Sequence, residues 1–390
     1  MKRIKTFSLV AVIFSGVFSV LNVALGQTWT VCSNAPNEEW WAVASSADGS
    51  KLVAVVYGGG IYTSTNSGAS WLSNSVPTKN WYSVASSADG TKLAAVTFGS
   101  GAQIWSSTNS GATWNLTAAP TGIFQNYISI ASSTDGTHLV AAGANIPTRH
   151  IYTSTDSGLT WTTTSAPNLS WYSVASSADG TKLVTVAWNN DVIYTSQDSG
   201  ANWTPRAVPS NYWYSVSSSA DGSRLAVVVN GGGIFTSTNS GASWVSNNVP
   251  SQSWLSVASS SDGTKLVAVA PGVIYTSADS GQTWVSNNVP AYYWSSVASS
   301  ADGSKLVAVA ATGQIYTAQS APPRLSVKLS STNLTIAWPF SVTGFQLQQN
   351  VNLNTADWTD LTNSVFTSNG QNEVIVSITN SQTFYRLKGQ

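Results

Sequence analysis

Trp81-Tyr82-Ser83-Val84-Ala85-Ser86-Ser87-Ala88-Asp89-Gly90 is the stretch that decides the fold, because near-copies of it recur along the chain. The copies end in Asp-Gly pairs at Asp48, Asp89, Asp135, Asp179, Asp221, Asp262 and Asp302, seven in all, spaced 40–46 residues apart. A unit of that length holds several short strands but cannot bury both faces of a sheet alone. Stacking such units side by side around an axis is the propeller solution.

The strands of one unit read outward from this stretch. Trp171 to Ser177 alternates large and small residues as strand A, and Asp179-Gly180 makes a tight hairpin turn. Lys182 to Trp188 is strand B, rich in β-branched residues, Val192 to Ser196 is strand C, and Trp203 begins strand D. Pro77, Pro167, Pro209, Pro250 and Pro290 fall in the connections to the next unit, where no ladder donor is needed.

The turn between strands C and D carries a second motif, Ser154-Thr155-Asp156-Ser157-Gly158-Leu159-Thr160-Trp161. It recurs as Ser64 to Trp71, Ser107 to Trp114, Ser196 to Trp203, Ser237 to Trp244 and Ser277 to Trp284. The acceptor position is Asp156, Asp198 or Asp279 in three copies and Asn66, Asn109 or Asn239 in the others. Either side chain can accept from backbone amides of its own turn. The motif resembles the Asp-box, or BNR repeat, of sialidases and of many secreted propellers, and the resemblance covers nearly all of residues 27 to 320. It implies a β-propeller. In sialidases the Asp-boxes lie away from the active site, so the resemblance by itself implies no catalysis.

After Ile315 to Ser320 the motif fails, and Ala321-Pro322-Pro323 ends the seventh unit without a strand D. Gln27-Thr28-Trp29 repeats Gln282-Thr283-Trp284, so the N-terminal segment is expected to supply that strand and close the ring. The expected fold class is therefore all-β: a seven-bladed β-propeller closed by the N-terminal strand, plus a small C-terminal β-sandwich-like domain. The boundaries are 1–26 for a signal peptide, 27–322 for the propeller and 323–390 for the last domain. In that domain Arg324 to Leu329, Leu334 to Trp338, Phe345 to Gln349, Val374 to Ile378 and Phe384 to Leu387 read as short strands.

Lys2, Arg3 and Lys5 precede an apolar run from Phe7 to Val23 and small residues at Ala24-Leu25-Gly26, the pattern of an export signal cleaved before Gln27. The expected location is secreted, extracellular or cell-surface, or periplasmic if the chain is retained. With the signal cleaved it is not an integral membrane protein. Removing those three basic residues leaves 13 basic against 16 acidic, which argues against nucleic acid or an anionic membrane as partner. A lone cysteine, Cys32, makes no internal disulfide, so the fold must rest on its core.

Repeated residues serve the scaffold, so chemistry has to be sought among the others. Of the 16 acidic residues only Glu38, Glu39 and Asp191 are neither in the repeats nor in the C-terminal unit. They fall in the D-to-A and B-to-C connections, at the end where propellers bind ligands. A glycosidase needs two carboxylates flanking the scissile bond, and these three are the only catalytic candidates. A sialidase would also need three arginines for the substrate carboxylate. Outside the position after each Asp-Gly turn the propeller's basic residues are Lys79, Arg149 and Arg206, which disfavours that activity. Sialidases also normally have six blades, against seven here. Photosynthetic assembly factors likewise use seven-bladed propellers of related repeats, but through an arginine-rich patch absent from this sequence. Two histidines, His138 and His150, and one cysteine give no metal cluster, and no cofactor is expected. Gly58-Gly59-Gly60 and Gly231-Gly232-Gly233 lie between strands and read as turns rather than phosphate cradles.

Tryptophan is the informative residue. Of 18, seven hold the motif position (Trp29, Trp71, Trp114, Trp161, Trp203, Trp244, Trp284). Six begin strand A (Trp40, Trp81, Trp171, Trp213, Trp254, Trp294), with Tyr127 in the remaining unit. A residue required in every unit is expected to wedge between sheets. Non-repeated residues at the same end, namely Trp41, Tyr57, Tyr82, Phe98, Arg149, His150, Tyr172, Trp188, Asn189 and Tyr214, form the candidate ligand-binding set. Flat aromatic faces beside amides and hydroxyls suit sugar rings. The sequence thus favours a monomeric, non-catalytic recognition propeller for a glycan or extracellular polymer. A glycoside hydrolase of sialidase-like architecture and a scaffold for a surface protein are the alternatives.

Overall fold

The computed structural model describes residues 27–120, 126–144, 149–188, 192–208, 211–319, 325–330, 333–339, 345–351, 355, 357–368, 371–377 and 383–389. Residues 1–26, the expected export signal, lie outside them. The described elements are all strands and every pairing is antiparallel. The chain divides into two compact units, Ala24–Ser320 and a unit containing Ala321–Gln390.

In the larger unit each repeat segment builds an antiparallel sheet whose four main strands follow chain order. The fourth segment is representative: Trp171–Ser176, Leu183–Ala187, Ile193–Ser196 and Thr204–Arg206 lie side by side in that sequence. Strand B is buried along its whole length, as its unbroken apolar run requires. The last repeat takes its outer strand from the other end of the chain. Thr28–Val31 pairs with Ile315–Gln319 in the register Thr28↔Gln319 and Val31↔Tyr316.

Hydrogen bonds between segments form a cycle. The Ala47 N–H donates to the Ala88 carbonyl, Ala88 to Thr134, Thr134 to Ala178, Ala178 to Ala220, Ala220 to Ser261, Ser261 to Ala301, and Ala301 back to Ala47, each at 2.7–2.8 Å. The position before every Asp-Gly pair is therefore small because its backbone bonds to the next segment. A second set links strand A of each segment to strand A of the next. The Ser173 hydroxyl accepts from the Val216 N–H at 3.2 Å, and Ser83, Ser129, Ser215, Ser256 and Ser296 serve Ile130, Val174, Val257, Val297 and Val43 in the same way. These bonds satisfy amides that would otherwise be unpaired edge donors. Ala42 holds this position in the first segment and offers no hydroxyl to Val84.

The Ser-x-Asp/Asn-x-Gly motif folds as its chemistry demands. The Asp156 carboxylate accepts from the Thr160 N–H at 2.8 Å and from the Ser154 hydroxyl at 2.8 Å. Asn66 does the same with its amide oxygen, which explains why Asp and Asn interchange. Ser157 and its five equivalents sit at φ between 56° and 61°, left-handed backbone that the local hydrogen bonds hold in place.

The six strand-A tryptophans and Tyr127 are 0 % exposed. Each packs edge-on against an aromatic of strand C in its own segment, from Trp40 with Tyr62 at 5.1 Å to Trp81 with Trp105 at 6.1 Å. These side chains are wedges of the scaffold and present no face to solvent.

Two of the glycine triplets do more than turn. Strand B runs on as Leu52–Gly59 and Leu225–Gly232, and each extension pairs with the residues leading into the next segment. Tyr57 opposes Asn80 and Gly59 opposes Lys79, while Asn230 opposes Ser253 and Gly232 opposes Gln252. Glycine at positive φ (Gly58 at 72°, Gly231 at 78°) lets the strand bend into this rib.

The smaller unit contains two sheets. Ser326–Leu329, Asn333–Pro339, Gln371–Ser377 and Phe366–Ser368 form one; Thr359–Asp360, Phe345–Asn350 and Phe384–Gly389 form the other. Leu334, Ile336, Trp338, Leu347, Leu361, Val374 and Val376 from both sheets make one core. The Arg386 guanidinium lies 4.2 Å from the Trp358 ring centroid and donates to Gln348, which donates in turn to Asp360.

Candidate binding face

The connections of each segment fall at two ends. The Asp-Gly turns and Ser-x-Asp/Asn-x-Gly turns share one end, and the D-to-A and B-to-C connections share the other. The first end is occupied by structure. Hydrogen bonds from the Ser87 hydroxyl and the Thr91 N–H hold the Asp89 carboxyl at about 2, below its ordinary 3.8. The ammonium groups of Lys182, Lys265 and Lys305 donate to carbonyls of Asp221, Asp302 and Asp48 in the next segment, each at 2.7 Å. A groove of about 320 Å³ also lies at this end, lined by Thr28, Thr30, Gly49, Ser67, Lys305 and Thr317.

At the second end the residue after the strand-A aromatic falls at a break in the ladder register in six of the seven segments. In six segments the register shifts at this point, between Trp40 and Ala42, Trp81 and Ser83, Tyr127 and Ser129, Trp171 and Ser173, Trp213 and Ser215, and Trp294 and Ser296. A bulge leaves its extra residue unpaired and re-aims the side chain. The bulged residues are Trp41, Tyr82, Ile128, Tyr172, Tyr214 and Ser295.

Four of them come together with neighbouring aromatics. Trp41 lies 5.2 Å from Tyr57 and 5.1 Å from Tyr82, and Tyr82 stacks on Phe98 at 5.1 Å. Tyr172 lies 5.1 Å from Trp188 and 4.5 Å from Tyr214, and Trp188 lies 5.5 Å from Tyr212. The two groups meet over one core cluster, against which Tyr82, Phe98 and Tyr172 all pack. Burial, and the like phenols beside them, push all three hydroxyls up, Tyr214 to about 12, so they are neutral donors and acceptors at physiological pH. Apart from the exposed Tyr212 the rings are half-buried, and Ile128 of the third segment belongs to the core cluster against which Tyr82, Phe98 and Tyr172 pack.

Of the candidates read from sequence, Trp41, Tyr57, Tyr82, Phe98, Tyr172, Trp188 and Tyr214 therefore form one cluster. Arg149 and His150 stand apart from its ring contacts. The Arg149 N–H donates to Asn168, and His150 meets Tyr152 edge-on at 6.0 Å. Asn189 and Asp191 lie outside the described residues. Glu38 accepts from the Tyr62 hydroxyl at 3.2 Å, and burial with that carboxylate pushes the phenol up. Glu39 is exposed, and its carbonyl accepts the Tyr57 N–H at 3.1 Å. Sequence reasoning missed Tyr212 and Tyr293, which are 56 % and 47 % exposed at the same end. Their signal was available, an aromatic directly before the strand-A tryptophan. Among the described residues no three His, Cys, Asp or Glu side chains are grouped to hold a metal.

Known proteins match this chain in fold only. No family model and no curated protein matches its sequence. Among solved structures, YCF48 from Cyanidioschyzon merolae aligns with a TM-score of 0.58 at 15 % identity, over 75 % of this chain and 98 % of that one. A structure of YCF48 bound to D1 peptide aligns with a TM-score of 0.58 at 18 % identity, over 75 % and 97 %. The GH74 xyloglucanase from Xanthomonas campestris aligns with a TM-score of 0.61 at 15 % identity, over 80 % of this chain but 59 % of the enzyme. The fold is a β-propeller.

Proposed function

We propose that the chain is a secreted, closed seven-bladed propeller of Asp-box repeats that binds a glycan or surface polymer at its aromatic end without cleaving it. The ring closure is supported by the cycle of backbone hydrogen bonds that returns from Ala301 to Ala47. The observation that carries the binding reading is the cluster of half-buried rings brought to one end by bulges, at positions the repeat leaves free. Aromatic faces stack on the C–H faces of sugar rings while neighbouring hydroxyls fix their orientation.

The first alternative is a glycoside hydrolase using Glu38, Glu39 or Asp191, which the fold shared with a GH74 enzyme keeps in view. Against it, Glu38 is engaged by Tyr62 on the strand-C side of its own segment. The second alternative is recognition of a peptide, as in the YCF48 structure with D1 peptide. A glycan array probed with the secreted chain, with product analysis of each retained sugar, separates the three. Binding without cleavage, weakened in Trp188→Ala, supports the proposal. Cleavage overturns its non-catalytic part, and absence of binding to every glycan overturns it as a whole.

A further inference from the structure

The aromatic contacts fall into two groups, which packing on a shared core joins into one line of contacts. Tyr57, Trp41 and Tyr82 follow one another at 5.2 and 5.1 Å, and Tyr172, Trp188 and Tyr212 at 5.1 and 5.5 Å. Tyr82 and Tyr172 pack against the same core cluster, and this joins the halves. Each end of the line is built into a rib. Tyr57 is itself paired with Asn80 in the first rib, and the Tyr212 carbonyl accepts the N–H of Asn230, a residue of the second. Units 1, 2, 4 and 5 thus contribute to one feature that runs from rib to rib.

Two properties limit what this line can hold. Rings in mutual contact leave no space between them for a cation cage, which needs the charge over the ring faces, so a ligand has to lie across them. The side chains of the line are aromatic rings and neutral hydroxyls, which offer an ionised ligand no partner and would desolvate it at a cost. A partner with repeated apolar faces and uncharged hydroxyls meets both conditions. We infer that the line from Tyr57 to Tyr212 is a single array of subsites for several consecutive residues of a neutral, linear polysaccharide. This rests on the glycan reading above and adds the charge class and length of the ligand.

Linked subsites make each added sugar an intramolecular event, so affinity grows with chain length until the array is filled. The test is titration calorimetry of the secreted chain with cello-, manno- and xylo-oligosaccharides of increasing length. For at least one series, affinity should rise about tenfold or more from disaccharide to hexasaccharide and then level off. Trp41→Ala and Trp188→Ala, at opposite halves, should each cut hexasaccharide affinity about tenfold and change disaccharide affinity by about twofold or less. An unchanged denaturation midpoint in both variants is the folding control. Equal affinity for short and long chains, or sensitivity to one tryptophan alone, overturns the array while leaving a glycan site. Binding confined to charged glycans on the array overturns the neutral class. Loss of all glycan binding removes the underlying reading as well.

Discussion

The two ends of the repeat unit are built from the same strands and have diverged to different degrees. At the Asp-Gly end the residue in the hydrogen-bonded cycle is Ala47, Ala88, Thr134, Ala178, Ala220, Ser261 or Ala301, and the two that follow are always Asp and Gly. Less than one strand-length away, the residue after the wedge aromatic is Trp41, Tyr82, Ile128, Tyr172, Tyr214, Leu255 or Ser295. The first position bonds through its backbone to the next segment, and a larger side chain there would disturb a cycle shared by all. In six of the seven segments that position lies at a bulge, which re-aims its side chain out of the repeating pattern and leaves it free to vary. Uniformity marks where units hold each other, and variation marks where they can face a ligand.

The largest effect expected from breaking this contrast is at a wedge. Trp254→Ala should destabilise the chain by about 3–5 kcal/mol in urea denaturation, because the 0 % exposed indole leaves a cavity. Trp188→Ala, half-buried at the binding end, should cost about 1 kcal/mol or less and act on binding instead. Next comes Gly90→Ala. Its φ of 65° and a Cβ that would sit 2.8 Å from Lys51 Cβ should cost about 1–3 kcal/mol, read in the same experiment.

Acid should act on the Asp-Gly end first. Asp89, Asp179 and Asp221 are held at about 2 by serine hydroxyls and backbone amides, below the unfolded value of 3.8. Their contribution is complete above pH 4 and is lost as pH falls toward 2, so the melting temperature should drop across that window. In Asp89→Asn the loss over the same interval should be shallower. The smallest expected effect is a gain: Ala42→Ser supplies the missing acceptor for the Val84 N–H and should stabilise by about 0.5–1.5 kcal/mol. A null result would separate the serine caps from stability.

Much of the scaffold was legible because it repeats. Asp48 to Asp302 gave the unit, Gln27-Thr28-Trp29 gave the partner of Ile315–Gln319, and the recurrence of Trp40 and its equivalents marked them as packing. Short strands lacking that support were missed, among them Thr359–Asp360 and Phe366–Ser368. The glycine triplets were read as turns because nothing local shows that Gly59 will pair with Lys79 of the next segment.

The sequence by itself determined the unit, the order of its strands and which aromatics the repeat does not require, since periodicity is a local property of the chain. Only the tertiary structure decided that Tyr82 and Tyr172, 90 positions apart, pack against one core cluster, and that Arg149 and His150 stand apart from their ring contacts. A bulge re-aims its side chain toward whatever neighbouring sheets bring beside it, and that neighbourhood is set by the packing of all the units together.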